Sequence, residues 1–285
     1  MSMKFVGILA YLVVLMAIGI VASRRMRDVR DYFAAGKKLG FWSVAFSSRA
    51  TGESAWLLLG LTGMGAMIGV QAFWVVLGEV LGVAGAWLLM CRRFHRLTQR
   101  YDSITVPDYL ESRFRDKKHL MRMVSAIALV IFVTIYVSAQ IDATGTAFES
   151  FLGWNYYAGA AAGFGVVMLY IIGGGFLAVV WSDVFQGAMM FLGLVALPFF
   201  GLAAAGGWGP VSASLAAQDP GLLSIWGPDG FTTMNVFATI SLALIGLGFL
   251  GSPQIFVRFL ALRSEKEIRG GASVAFVWTV LAGCG

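Results

Sequence analysis

Two residues of opposite charge, Arg49 and Glu53, lie within the stretch SSRATGESAW, which runs from Ser47 to Trp56. They are four positions apart and share one face if the helix is intact there, so a structural ion pair is one interpretation. The stretch also contains small hydroxyl residues and a glycine. Hydroxyl oxygens and freed backbone carbonyls are the ligands that a hard, partly dehydrated cation prefers, so a cation site is the other interpretation.

Other ionisable residues are rare within the long apolar runs of the chain. They are Glu79, Asp142 and Asp183, with Glu149 near the end of a run. An ionised side chain costs about 2.5–3.5 kcal/mol at the centre of a membrane helix, so we expect each to face the interior of a helix bundle. Asp183 follows the glycine turn in GGGFLAVVWSD and could hold or relay a small cation. Alternatively, it complements the dipole at the start of a helix.

Three aromatic residues are expected at similar depth beside these polar positions. Trp56 follows the hydroxyl-rich stretch, Tyr136 is near the middle of a later apolar run, and Phe249 lies in the glycine-rich stretch GLGFLGSP. Together they could close over a small organic solute. Ordinary packing is the alternative for each of them alone.

The elements that position these residues are predicted to be membrane-spanning helices. The 285 residues are 59% hydrophobic and 13% charged, with a mean hydropathy of +0.80. Apolar runs of about twenty residues indicate an all-α polytopic membrane protein. We place seven spans at roughly 5–23, 41–70, 72–91, 120–150, 157–173, 178–205 and 233–256. An eighth begins near Gly271 and is too short to cross, so we expect the chain to be truncated within it.

The positive charges predict the orientation. Of the 21 Lys and Arg residues, six follow the first span, nine the third, and four the seventh, the last being Arg258, Arg263, Lys266 and Arg269. The loops on the other side, including 206–232, contain none. This asymmetry places the N-terminus outside and the basic loops in the cytoplasm, most simply in a plasma (inner) membrane. The net charge of +6 therefore favours contact with a lipid bilayer and not with nucleic acid.

Two spans are interrupted in a similar manner. SSRATGES breaks the second span, and GLGFLGSP, from Gly246 to Pro253, breaks the seventh. Unwound backbone at membrane depth survives only where protein or a polar cavity surrounds it. The breaks are five spans apart, which is the spacing of an inverted repeat in secondary transporters. The alternative is that the glycines only allow close helix packing.

Several longer stretches carry a family resemblance. DYFAAGKKLGFWSVAFSSRATGESAWLLLGLTG, YDSITVPDYLESRF, FVTIYVSAQ, IIGGGFLAVVWSDVFQGAMM and GFLGSPQIFVRFLA resemble the sodium:solute symporter family, most closely its sodium/proline branch. The resemblance implies a LeuT-type fold of two inverted five-helix repeats. It divides the chain into an extra N-terminal helix and loop (1–40), a first repeat (41–205), an external loop (206–232) and the incomplete start of a second repeat (233–285).

The resemblance also implies a site for Na⁺ as the coupling ion. Sodium ligands would be the backbone carbonyls of Ala50 and Glu53 and the carboxylate of Asp183, with further ligands on C-terminal helices beyond this chain. The set of residues implied to bind solute is Thr51, Ser54, Trp56, Tyr136, Ile245 and Phe249. Arg49, Gly52 and Glu53 depart from the residues that the proline branch carries.

The implied activity is sodium-coupled symport of a small organic solute, with an amino acid such as proline as the leading candidate. Two alternatives stay open at this stage: the membrane-embedded input domain of a transporter-like sensor histidine kinase, and a fragment that does not transport. We do not expect an enzyme. Both histidines, His95 and His119, fall in a predicted cytoplasmic loop, and the spans contain no metal motif.

Overall fold

The computed structural model describes residues 3–228 and 230–284, and within these ranges the chain contains helices and no β-strand. The all-α expectation is therefore confirmed. The helices are α1 Met3–Ser23, α2 Val29–Ala34, α3 Phe41–Ala55, α4 Thr62–Ile68, α5 Phe73–Gly85, α6 Arg92–Arg100, α7 Val106–Phe114, α8 Leu120–Leu152, α9 Tyr156–Ala204, α10 Trp208–Gln218, α11 Thr233–Leu244, α12 Pro253–Ala261 and α13 Ile268–Gly283.

Five continuous helical segments among the described residues are long and apolar enough to cross a membrane: Phe5–Ser23, Leu59–Arg100, Leu120–Leu152, Tyr156–Ala204 and Thr233–Leu250. The fourth has 49 residues. At 1.5 Å per residue it would be about 74 Å long, more than twice the thickness of the hydrocarbon core. It contains the predicted spans 157–173 and 178–205, and it is broken between them.

That break lies at Gly175, whose backbone has φ 54° and ψ −155°. A Cβ at this position would lie 2.9 Å from the carbonyl oxygen of Tyr32 and 2.9 Å from Sδ of Met26. Only glycine combines this backbone conformation with such a close contact. The break directs the second half of α9, which carries Asp183, along α3.

The interruption in α3 is shorter than expected. The helix continues through Ser47–Glu53, and only Ser54 leaves helical geometry, with φ 51° and ψ −169°. A π-helical turn, Trp56–Leu61, then leads into α4. The expected unwinding across SSRATGES is therefore wrong. Neighbouring helices supply hydrogen-bond partners for polar side chains of this stretch, as described below. Its backbone can therefore stay helical.

The second interruption is confirmed. After α11 the chain forms a 3₁₀ segment, Ile245–Leu250, and α12 begins at Pro253. This segment lies directly on α5. Cβ atoms at Gly78 and Gly82 would lie 2.0 Å from the carbonyl oxygens of Ala243 and Gly246, respectively. The glycines at this contact therefore allow close packing in addition to marking the break.

The central core joins α3, α5, α9, α12 and α13 and includes Val44, Trp87, Val180, Phe259 and Ala275. At one end of the bundle, the loop before α3 is tied to the loop after α12. The Leu39 amide donates to the Ala261 carbonyl at 3.1 Å, and the Arg263 amide donates to the Leu39 carbonyl at 3.0 Å. The predicted external loop contains α10, which the sequence interpretation did not include.

Candidate functional site

A cluster of polar groups surrounds Asp183 between α3, α9 and α12. Oδ2 of Asp183 accepts hydrogen bonds from Ser47 Oγ at 2.6 Å and Thr51 Oγ1 at 3.2 Å. Nη2 of Arg258 forms an ion pair with the same carboxylate oxygen at 2.5 Å, and Nε donates to Ser47 Oγ at 2.6 Å. Arg258 Nη2 also contacts the Thr51 hydroxyl. The cluster thus joins two hydroxyls, one carboxylate and one guanidinium.

The place of Arg258 corrects the sequence interpretation, which counted it among the basic loop residues. It lies in α12 and is only 4% exposed. A buried carboxylate such as Asp183 needs a counter-charge, which Arg258 supplies. The sequence signal was local: in PQIFVRFLA the arginine has apolar residues on both sides, whereas Arg263 is followed by the polar stretch SEKE.

The other two expected sodium ligands are Ala50 and Glu53, and only Ala50 faces the helix that carries Asp183. Ala50 faces α9, where a Cβ at Gly187 would lie 3.1 Å from the Ala50 side chain. The Glu53 carbonyl accepts the Trp56 amide, and its carboxylate contacts Arg49. The structure therefore brings Ala50 to the helix that carries Asp183, whereas the Glu53 side chain points into a separate cluster.

Side chains of helix α8 form hydrogen bonds with backbone groups on both sides of the break in α3. The Ala55 amide donates to Oε1 of Gln140 at 3.1 Å, and the Thr51 carbonyl accepts from the Tyr136 hydroxyl at 3.3 Å. In an uninterrupted helix these two backbone groups would pair with each other. Gln140, which the sequence interpretation missed, is thus a positioning residue for the break, together with Tyr136.

A second charged cluster lies beside the break in α3. Arg49 and Glu53 are in contact, which confirms the predicted ion pair, and Nη2 of Arg49 lies 3.5 Å from Oε1 of Glu79 on α5. All three residues are at most 4% exposed. The Arg49 guanidinium also lies over the ring of Phe249, 5.0 Å from its centroid. Glu79 is thereby a buried partner, as expected.

A cavity of about 220 Å³ adjoins this second cluster, between α3, α5 and the broken segment after α11. It is lined by Gly52, Ser54, Trp56, Val75, Glu79, Ile245, Gly248, Phe249 and Ser252. Four of the six expected solute residues therefore line this one cavity, two from the α3 side and two from the segment after α11. The other two, Thr51 and Tyr136, are at the Asp183 side of the break.

Two further positions are explained by this geometry. A Cβ at Gly52 would lie 2.8 Å from Cε1 of Phe249, so glycine allows the aromatic ring to approach α3. Asp142 is exposed and accepts a hydrogen bond from the Tyr156 hydroxyl at 2.6 Å. The expectation that Asp142 faces the bundle interior is wrong. The residue lies in the last third of α8, where Tyr156 at the start of α9 supplies its hydrogen-bond partner.

Comparison with known proteins places this geometry in a family. The model of the sodium:solute symporter family matches residues 32–285. The chain is 37% identical over 272 residues to the high-affinity proline transporter PutP of Bacillus subtilis, covering 95% of this chain and 56% of the relative. It is 34% identical over 272 residues to the sodium/proline symporter of Escherichia coli, covering 95% of this chain and 53% of the relative. The chain thus spans about half the length of these relatives.

A solved structure gives the same fold. It is the substrate-bound outward-open state of a Na⁺-coupled sialic acid symporter, with a TM-score of 0.75 and 19% sequence identity. The match covers 99% of this chain and 60% of that one. The helical core is therefore of the LeuT type, and the apolar helices make the protein an integral membrane protein. The chain belongs to the sodium:solute symporter family.

Proposed function

We propose that this chain serves sodium-coupled symport of a small organic solute. The observation that carries the proposal is the position of Asp183. Its carboxylate meets two hydroxyls of α3 within a few residues of the break at Ser54, and the other side of that break borders a cavity of about 220 Å³. Cation and solute sites joined by one interrupted helix are the arrangement that coupled transport requires.

We propose that Na⁺ binds at Asp183 with oxygen ligands from α3, namely the hydroxyls of Ser47 and Thr51 and the Ala50 carbonyl, with Glu53 contributing only through its carbonyl. A cation that approaches Oδ2 of this carboxylate competes with the Arg258 guanidinium, which pairs with the same oxygen. Sodium binding therefore implies that Arg258 releases at least part of its contact. Because α12 carries Arg258, this exchange would couple the ion to movement of α12 against α3 and α9.

The solute would occupy the 220 Å³ cavity, against Ser54, Trp56, Ile245 and Phe249. Tyr136 and Thr51 would connect that cavity to the cation, because the Tyr136 hydroxyl bonds the Thr51 carbonyl. Proline is the first solute to test, since the relatives are named as proline carriers. The chain matches only about half of each relative. We propose that the helices implied to complete the core are needed for net uptake, whereas this chain suffices for sodium-stimulated binding.

We further propose the domain division and orientation implied by the sequence. Residues 41–205 would form the first repeat and 233–285 the start of the second, after the helix and loop of 1–40 and the external loop of 206–232. Loops following the first, third and seventh spans meet at one end of the bundle, where Arg30 pairs with Asp102 and Arg96 pairs with Glu265. This clustering supports a cytoplasmic position for all three in a multi-pass plasma (inner) membrane protein, with the N-terminus outside.

The test is proline binding and uptake by the purified protein in liposomes, with a sodium gradient and with an equal potassium gradient. Sodium-stimulated binding, with or without net uptake, supports the proposal for a chain of this length. Equal proline binding in sodium and in potassium would contradict it.

A further inference from the structure

We infer that the solute binds through a positively charged amine, which the Glu79 carboxylate holds inside the 220 Å³ cavity. This inference rests on the proposed function, because it assigns the cavity to the transported solute. It adds the charge of the solute group and the residue that recognises it.

The first observation is the charge of the second cluster. Glu53 and Glu79 each carry a carboxylate, and Arg49 is the one guanidinium that contacts them among the described residues. Two carboxyl groups therefore share one guanidinium in a place that excludes water. A buried charge without full compensation is costly, and a bound cation removes that cost.

The second observation is the direction in which the excess charge faces. Glu79 lines the cavity, whereas Arg49 and Glu53 lie behind its wall. Arg49 is closest to Glu53 and lies 3.5 Å from Oε1 of Glu79, too far for a strong hydrogen bond. A solute in the cavity consequently meets a carboxylate that its arginine partner only partly neutralises.

The third observation is the aromatic lining. Trp56 and Phe249 face the same cavity as Glu79, and aromatic faces attract cations through their quadrupole. Phe249 already has the Arg49 guanidinium over its ring, 5.0 Å from the centroid, so the ring is placed to stabilise positive charge on this side of α3. A carboxylate with aromatic neighbours is a recognition set for an ammonium group.

Cavity size limits the solute. A volume of about 220 Å³ is below the roughly 300 Å³ at which pockets for drug-sized ligands begin, so the ligand is a small amine or amino acid. A solute that offers only a carboxylate would add a like charge beside Glu79, and such juxtaposition is strongly unfavourable. We therefore assign the ammonium group, and not the carboxylate, to the Glu79 wall.

The experiment compares three compounds with a five-membered ring for binding to the purified protein in nanodiscs, measured by calorimetry in NaCl and repeated in KCl. L-Proline has an amine and a carboxylate, pyrrolidine has only the amine, and tetrahydrofuran-2-carboxylate has only the carboxylate. Proline and pyrrolidine are expected to bind, and the compound without an amine is not. Equal binding of pyrrolidine and tetrahydrofuran-2-carboxylate would overturn the inference.

Variants of Glu79 give the second measurement. Glu79→Gln is expected to weaken proline and pyrrolidine binding about thirtyfold or more, because one partner of a desolvated charge pair is lost. Glu79→Asp, which keeps the charge, should retain part of the affinity. Glu149→Gln removes an exposed carboxylate at the end of α8 and should leave binding unchanged. Unaltered proline affinity in Glu79→Gln would refute the role of Glu79.

Should Glu79→Gln fail to fold, the ligand series on the unmodified protein decides alone. The two salts separate this inference from the proposed function. Amine-selective binding that is equal in NaCl and KCl would keep the Glu79 assignment and contradict sodium coupling. Sodium-dependent binding without preference for the amine would support sodium coupling and overturn the Glu79 assignment. No binding of any compound would overturn both.

Discussion

At the scale of single residues, the Asp183 carboxylate is the group on which the proposed sodium site depends. One of its oxygens accepts from Ser47, Thr51 and Arg258, and its side chain is only 13% exposed. A carboxylate in this setting has its charge compensated by the protein itself. In the proposed mechanism, the Arg258 guanidinium acts as an internal cation that Na⁺ displaces from Asp183.

This competition predicts the behaviour of Arg258→Gln. Removing the guanidinium frees Asp183 Oδ2, so the sodium concentration for half-maximal proline binding should fall. The protein should also lose about 3 kcal/mol or more of stability without sodium, because one charge of a buried pair is left unpaired. Sodium titrations of proline binding and thermal unfolding check both effects. Arg263→Gln, which breaks an exposed pair with Glu267, is the matched control. A higher sodium requirement in Arg258→Gln would contradict the competition.

Residue-level predictions succeeded where spacing along one helix was sufficient. Arg49 and Glu53 are an (i, i+4) pair, and their contact follows from the helical repeat alone. Arg258 could not be placed in the same way, because its partners are 75 and 207 positions away in the chain. A charged residue near the end of a span is buried only if other helices pack over it. The periodicity of a sequence does not show where those helices lie.

At the scale of elements, the contact between α5 and the broken segment after α11 controls the cavity. Both backbones approach so closely that a Cβ at Gly246 would lie 1.8 Å from the carbonyl oxygen of Gly78. Glu79 follows Gly78 directly, so the separation of these elements sets how far Glu79 lies from Phe249 and Ile245.

Gly246→Ala is expected to separate the two elements and lower the thermal unfolding temperature. Overpacking of this kind typically costs about 1–3 kcal/mol. Gly248→Ala is a matched control in the same 3₁₀ segment, because no atom lies within 4 Å of the added Cβ. Unfolding followed by circular dichroism in detergent would compare the two variants. Similar unfolding temperatures for both would show that the close approach has no energetic role.

Element boundaries were largely predictable because long apolar runs must be helical in a bilayer. The break between 157–173 and 178–205 was expected from the glycines, and Gly175 lies there with a positive φ. The length of the break in α3 was not predictable. It depends on Gln140 and Tyr136 of α8, which bond the freed backbone groups, and on Asp183, which bonds the hydroxyls.

At the scale of the whole molecule, charged loops join distant parts of the chain at one end of the bundle. Glu265, after α12, pairs with Arg96 and Arg92 of α6. Hydrogen bonding from Arg96, followed by Arg92, lowers the pKa of Glu265 to about 2 from an ordinary value of 4.5. This exposed network ties the start of the predicted second repeat to the first.

The pKa shift predicts how Glu265→Gln depends on pH. Because the folded state holds the pKa below its unfolded value, the stabilisation is present above about pH 4.5 and is lost as pH falls toward 2. The variant should unfold at a slightly lower temperature than the unmodified protein at pH 7, and the difference should shrink on acidification. Unfolding temperatures from pH 7 to pH 3 provide the measurement. A difference that grows at low pH would contradict the assignment.

The overall architecture was predictable from composition, charge asymmetry and the family resemblance. Composition and charge asymmetry follow from the requirements of the bilayer and do not depend on individual side-chain contacts. The cavity was predictable only in part. Ser54, Trp56, Ile245 and Phe249 lie together as expected, whereas Glu79 enters from α5 through packing that only the structure shows.

The most direct test of sodium coupling at Asp183 is sodium-stimulated proline binding by the variant Asp183→Asn, measured beside Asp142→Asn as a matched control. Asp142 is exposed in the last third of α8 and accepts a hydrogen bond from Tyr156. We predict that Asp183→Asn abolishes the difference between sodium and potassium, while Asp142→Asn keeps it. Sodium stimulation of the same size in Asp183→Asn as in the unmodified protein would contradict the cation site.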